Sequence, residues 1–352
     1  MDLIQRLAVI MASVRREFAP DLRTSVFELD LVEDGDAIVV VGATSEPGAA
    51  EALQHRIGAL ETDRPVRVEI VRLPHPTVDG QHAIVTASVA PMLAGPIVSD
   101  PPVSQTLLGH RLMVLREHGR WLQCRSADGY LGWIHCGYVR QVDEREARAW
   151  EAGGDGELCI SLGARAMDED GRVLARLPWG ARVTGLGGDR VRLPDLTVAR
   201  VEGELMAESE RARRFPPVGE AVASTALRWL GAPYLWGGIT RGGIDCSGLV
   251  QIVLRTHGVE LPRDSDLQAQ VGEPLEPEHS FANMRPGDLL FFSEESGAVS
   301  HVAISLGGSA VVHAAIGNGG VRKNDLNGDS GFEQELRRLL TCCRRVLPAP
   351  DG

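Results

Sequence analysis

Three short apolar segments, Leu112–Leu115, Trp121–Cys124 and Tyr130–Ile134, are separated only by Glu117-His118-Gly119 and Ala127-Asp128-Gly129. Segments this short cannot bury a helical face, and Gly-containing turns of this length join antiparallel neighbours. The stretch 83–142 is therefore confined to a small curved antiparallel sheet, with Trp121 and Trp133 expected in its core. Residues 157–207 repeat the style, with Asp168-Glu-Asp-Gly171 and Leu177-Pro-Trp179-Gly-Ala, and predict a second, divergent unit. The charged stretches 142–157 and 208–217 read as linkers.

Residues 1–80 read differently. A first helix carries Ile4, Leu7, Ala8, Met11 and Phe18 on one face, followed by strands at Ser25–Val32 and Ala37–Val41, a helix over Pro47–Leu60 and a strand at Val66–Leu73. The apolar run Leu7–Val14 is bracketed by Arg6 and Arg15-Arg16, with no small-residue cleavage site before Pro20. That pattern favours the first helix of a folded accessory domain over a secretory leader, and hence a cytoplasmic protein. No apolar run reaches membrane-spanning length. The strand–helix–strand portion faintly resembles BON-type domains of bacterial envelope proteins.

Charge and cysteines narrow the function. With 36 Lys and Arg against 48 Asp and Glu, the net charge is −12, and no basic run interrupts it. Nucleic acid and anionic membranes are therefore poor partners. Six cysteines without a CxxC pair form neither a disulfide framework nor a zinc ribbon, and at least five read as small buried hydrophobes. The Gly pairs 237–238, 242–243 and 307–308 lack the context of a phosphate loop, and no cofactor is implied.

Cys246 is the exception. It follows Asp245, an N-cap residue type, and begins a run with Leu249, Val250, Ile252 and Val253 that can form a buried helix. A thiol in the first turn meets the positive end of the helix dipole and free N–H groups, which favour the thiolate and can hold an oxyanion. Downstream, His301 and His313 flank Leu306-Gly307-Gly308 in a hairpin pattern, and a three-residue loop there places them directly opposite each other. One imidazole can then take the thiol proton while the other orients it. A zinc site at the same three residues is the competing reading.

The set Asp245-Cys-Ser-Gly-Leu-Val, Ser300-His-Val-Ala-Ile and His313, with Tyr234-Leu-Trp-Gly-Gly upstream, resembles the NlpC-type cell-wall peptidases. The resemblance covers 216–349 and implies a papain-like α+β domain. Cys246 would be the nucleophile, His301 the base, His313 the third member and Tyr234 the oxyanion-hole hydroxyl. For Trp236, core packing and a place in the cleft weigh equally. Gly119-Arg-Trp-Leu-Gln-Cys and Asp128-Gly-Tyr-Leu-Gly-Trp133-Ile resemble bacterial SH3-like barrels. The expected architecture is thus a multidomain α+β chain: an accessory domain, two such barrels and the catalytic domain.

Two barrels ahead of that domain, with Arg263-Asp-Ser-Asp-Leu-Gln after the catalytic helix, are similar to the γ-D-glutamyl-L-diamino-acid endopeptidases, or dipeptidyl-peptidase VI. These cleave murein peptides, L-Ala-γ-D-Glu-diamino acid, with a free N-terminal L-Ala. The resemblance implies that Asp264 binds the ammonium, that Ser247 and Ser265 line the pocket, and that Tyr130 closes it. The subgroup's second acidic residue, from the first barrel, is missing. In Asp100-Pro-Pro-Val-Ser-Gln105 only Asp100 can stand in for it. The rival readings are an endopeptidase of intact, exported peptidoglycan and a wall-binding protein without activity.

Overall fold

The computed structural model describes residues 1–76, 78, 81–294 and 297–348. It is mixed α and β throughout, with separate sheets for successive parts of the chain. In the N-terminal part, strands Phe27–Asp34, Ala37–Thr44 and Val66–Arg72 form one sheet, the first pair antiparallel and the second parallel. Helix Leu3–Phe18 opens on a capping box between Asp2 and Gln5. It packs through Leu3, Leu7, Ile10, Met11, Val14 and Phe18. The expected face is therefore corrected. Ile4 and Ala8 are exposed, because the core is met by the stripe through Leu7 and Val14.

Residues 82–142 form a seven-stranded sheet that includes Arg111–His118, Trp121–Arg125 and Leu131–His135. Trp133 is buried, whereas Trp121 is only half-buried against the edge of His135, so just one of the two expected core tryptophans is in the core. In the next unit, strands Glu157–Met167, Arg182–Gly185, Arg190–Arg192 and Val198–Ala207 pair in a closed ring. The stretch between these sheets is more than a linker. Helix Glu144–Glu151, capped by Asp143, packs Ala147 and Trp150 inward, and Trp150 Nε1 donates to the Gly109 carbonyl at 2.8 Å. Its charged outer face hid that apolar pair.

The C-terminal sheet runs in the order Glu273–Leu275, Leu340–Arg345, Leu289–Ser293, Val299–Gly307, Ala310–Ala315, Gly320–Asp325. Helix Cys246–Thr256 packs on it, with Leu249, Val250 and Val253 in one core with Val302, Ile304 and Val312. Behind the helix lies the closed ring, whose Trp179 is buried beside Trp229 and donates from Nε1 to Thr256 Oγ1 at 2.9 Å. No helix among the described residues is long and apolar enough to cross a membrane.

Candidate active site

Cys246 opens its helix as expected. The carboxylate of Asp245 caps the first turn, accepting from the Gly248 N–H at 2.7 Å. Gly248 is obligatory there, because a Cβ would lie 2.4 Å from the Gly238 carbonyl. Asp245 is itself gripped by Arg263, with Nη1 at 3.0 Å from Oδ1 and Nη2 at 2.7 Å from Oδ2, and the Arg263 side chain is only 1% exposed. Removing either partner of a buried pair like this costs about 3–5 kcal/mol. Arg263 also donates to Ser247 Oγ at 2.8 Å and, through Nε, to Ser104 Oγ of the first sheet unit at 3.0 Å. The Ser247 hydroxyl is thus engaged with the scaffold, although the residue lines the cleft. In the sequence Arg263 carries no signal of its own, because it stands in a charged stretch beside Asp264 and its partner Asp245 lies eighteen residues away.

The histidines share a face but are not directly opposite. Ile304 pairs with Val312 rather than Ala310, since the strand bulges at Leu306 before the turn. A slip by an even number of residues keeps every side chain on its face, so the rings still meet diagonally. His301 Nε2 lies 2.6 Å from His313 Nδ1, and His313 Nε2 lies 3.0 Å from Asn324 Oδ1. Asn318 Nδ2 donates to that oxygen at 2.8 Å and lies 3.3 Å from His313 Nε2. An amide oxygen only accepts, so His313 carries its proton on Nε2 and offers Nδ1 as acceptor. His301 then donates from Nε2, which leaves the lone pair on its Nδ1. Sequence reading missed Asn324, whose setting Lys323-Asn324-Asp325 looks like a solvated strand end.

The electrostatics depart from the expected lowered thiol pKa. Burial, with the Asp245 carboxylate adding to it, pushes the Cys246 thiol up to about 12, against the backbone N–H groups of Val302 and Ser247. Burial and the neighbouring His313 push His301 down to about 3, and burial pushes His313 down as well. Neither charge is favoured alone in this dry site. Transfer of a proton from thiol to imidazole creates both charges together, each the counter-ion of the other. His313 has no nitrogen left for zinc, since its Nδ1 faces His301 and its Nε2 faces Asn324. Among the described residues no group of His, Cys, Asp and Glu is arranged to hold a metal ion.

One cleft of about 890 Å³ connects these residues to the expected substrate-binding ones. Tyr130, Tyr234, Trp236, Cys246, Ser247, Asp264, Ser265 and His301 all line it. Burial and the nearby Cys246 and Asp245 push the Tyr234 hydroxyl up to about 12, so it stays a donor. Trp236 is 67% exposed at the rim, which rules out core packing. Ser265 begins the short helix Ser265–Gln268; Asp264 stands at its N-cap but makes no side-chain cap bond. Its Oδ2 instead accepts from the Tyr130 hydroxyl at 3.0 Å and from Arg23 Nη1 at 2.9 Å. Gln251 of the catalytic helix holds the turn that presents Tyr130, donating to Asp128 Oδ2 at 2.7 Å.

Asp100 does not join them. Its Oδ2 caps a surface turn, accepting from the Ile97 N–H at 3.0 Å, and it is absent from the cleft lining. Arg23, 241 residues from Asp264 in sequence, had no signal that could have found it.

A buried thiol and two hydrogen-bonded imidazoles on one fold, with the thiol and His301 lining one cleft, are the parts of a thiol hydrolase, and comparison with known proteins gives its class. Residues 231–339 match the model of the NlpC/P60 family. The chain is 32% identical over 261 residues to a γ-D-glutamyl-L-lysine dipeptidyl-peptidase of Bacillus cereus, covering 70% of this chain and 75% of that one. A protein of the same name from Bacillus subtilis is 28% identical over 265 residues, 68% of this chain and 80% of that one. The fold is shared with the crystal structure of an NlpC/P60 family protein from Bacillus cereus, at TM-score 0.61 and 22% identity, over 76% of this chain and all of the other. The chain belongs to the NlpC/P60 family and is a cysteine peptidase.

Proposed function

We propose that this peptidase hydrolyses the γ-D-glutamyl–diamino-acid amide of short murein peptides whose L-Ala amine is free. The observation that carries the reading is the meeting of the Asp264 carboxylate with the Tyr130 hydroxyl in the same cleft as Cys246. A half-buried carboxylate steadied by a phenol is the chemistry that holds a desolvated ammonium. The names of the Bacillus relatives agree with it.

In the reaction, the Cys246 proton passes to Nδ1 of His301 as sulfur attacks the γ-carbonyl carbon. The oxyanion is held by first-turn N–H groups and the Tyr234 hydroxyl. The amine of the diamino acid leaves with the proton from His301, and water then hydrolyses the thioester with His301 again as base. His313 fixes the His301 tautomer throughout. Ser265, Ser247 and Trp236 border the acyl group, and the first of two SH3-like barrels narrows the cleft by excluded volume. We place the protein in the cytoplasm, where wall fragments are recycled.

The test is turnover of L-Ala-γ-D-Glu-diamino-acid peptides against their N-acetyl forms, with products identified by mass. Loss of one charge-assisted contact costs about 2–5 kcal/mol, or roughly 30-fold to several thousand-fold in kcat/KM. Comparable turnover of both leaves a general wall endopeptidase in place of this reading.

A further inference from the structure

The far end of the cleft is closed by a residue from outside the peptidase domain. Arg23 lies in the N-terminal part, and its backbone carbonyl accepts from the Leu131 N–H at 2.7 Å, one residue from Tyr130. All five of its side-chain N–H bonds are committed. Nε and Nη2 bind Asp21 at 3.0 and 2.6 Å, Nη1 and Nη2 bind Asp266 at 2.8 and 2.7 Å, and Nη1 also binds Asp264 Oδ2. A guanidinium so fully engaged has no donor left for a substrate anion. It is a wall and a brace.

The brace is fixed in place. Val26, Ala43, Leu73, Leu115 and Leu131 form a buried cluster between the N-terminal part and the first sheet unit. Arg125 Nη2 adds bonds to the Thr24 carbonyl at 3.1 Å and Ser45 Oγ at 2.8 Å. Three carboxylates around one guanidinium leave the cleft end anionic. Among the described residues Asp264 Oδ1 carries no hydrogen bond. One further cation can therefore be taken at that oxygen, while Oδ2 is held from behind.

We infer that Arg23 is a specificity-determining positioning residue: it aims Asp264 and ends the cleft behind it, so that the acyl group must terminate there in an ammonium. The inference rests on the amine-end reading proposed above. One extra residue on the substrate would carry the ammonium about 3.5 Å onward, into the guanidinium. Arg23 also favours the charged form of Asp264, together with Tyr130 and Arg263, against a burial that raises its pKa. Asp266, which also lines the cleft, and Asp21 face the same cluster through their bonds to Arg23.

The experiment compares wild type with Arg23→Ala, Arg23→Gln and Arg23→Lys on the free tripeptide and on the same peptide extended by an N-terminal Gly. In Arg23→Ala and Arg23→Gln the extended peptide should gain about tenfold or more in kcat/KM relative to the free tripeptide, which itself loses mainly through KM. The acid limb of kcat/KM for the free tripeptide should move to higher pH in both, and Arg23→Lys should restore it. The backbone bond to Leu131 survives every variant, and an unchanged thermal midpoint confirms the fold. Wild-type discrimination that persists unaltered in Arg23→Ala and Arg23→Gln overturns the role of Arg23 alone. Equal turnover of both peptides by the wild type overturns the amine-end reading and this inference with it.

Discussion

The two ends of the cleft are built in opposite ways. The chemical end, from Cys246 to Asn324, comes from one domain and less than a quarter of the chain, and its groups are neutral and dry. The proposed recognition end collects Arg23, Tyr130 and Asp264 from three separate parts of the chain, and beside the buried Tyr130 phenol its Arg23 and Asp264 groups are charged and partly exposed. Chemistry needs reacting atoms held to fractions of an ångström, which a helix packed on a sheet provides. Recognition tolerates parts on separate units, because charge acts over longer distances. The comparison predicts that the two ends fail independently.

The largest effect is expected at the chemical end. His301→Ala should lower kcat roughly 10⁴-fold for free and N-blocked peptides alike with KM near wild type, and Cys246→Ala should abolish turnover, both with the thermal midpoint near wild type. A His301→Ala enzyme that lost activity on free-amine peptides only would break the division. At the other end, Asp264→Asn should cost free-amine peptides about 30-fold or more in kcat/KM and acetylated ones little. The rate of acylation measured at saturation should barely move.

The pH profiles sharpen the same contrast. Burial holds Asp264 above the ordinary carboxylate range, so its charge is lost as pH falls through that raised value. His301, pushed down to about 3, keeps its lone pair below that point. The acid limb of kcat/KM should therefore fall at higher pH for the free-amine peptide than for an N-blocked one. Coincident limbs would show that one group controls both. The smallest effect belongs to the relay. Asn324→Ala removes the neutral hydrogen bond to His313, together with the one from Asn318, and the loss at His313 should cost about 1 kcal/mol, or roughly fivefold in kcat. His313→Ala should cost more than His313→Asn, and equal activity of wild type and His313→Ala would remove the orienting role.

Much of the chemical end was legible in the residues. Asp245 as cap, Cys246 in the first turn and two histidines on one face of a hairpin follow from local rules of helix capping and strand alternation. Even the register error at Leu306 left the histidines together, because a two-residue slip preserves the face. The helix Glu144–Glu151 was hidden by its charged surface, and the raised thiol pKa by a burial that no local pattern encodes.

The elements, the Cys246 helix and the pair of histidines are written locally in the residues, since each depends on neighbours within a few turns or one hairpin. Long-range packing alone sets Arg23 against Asp264, keeps Asp100 elsewhere, brings Asn324 to His313 and locks Arg263 onto Asp245 beneath the thiol. These are contacts between side chains whose own segments carry no sign of a partner. An ion pair fixes neither the period nor the turn chemistry of the strands that present it, so its existence is settled only when the sheets have packed.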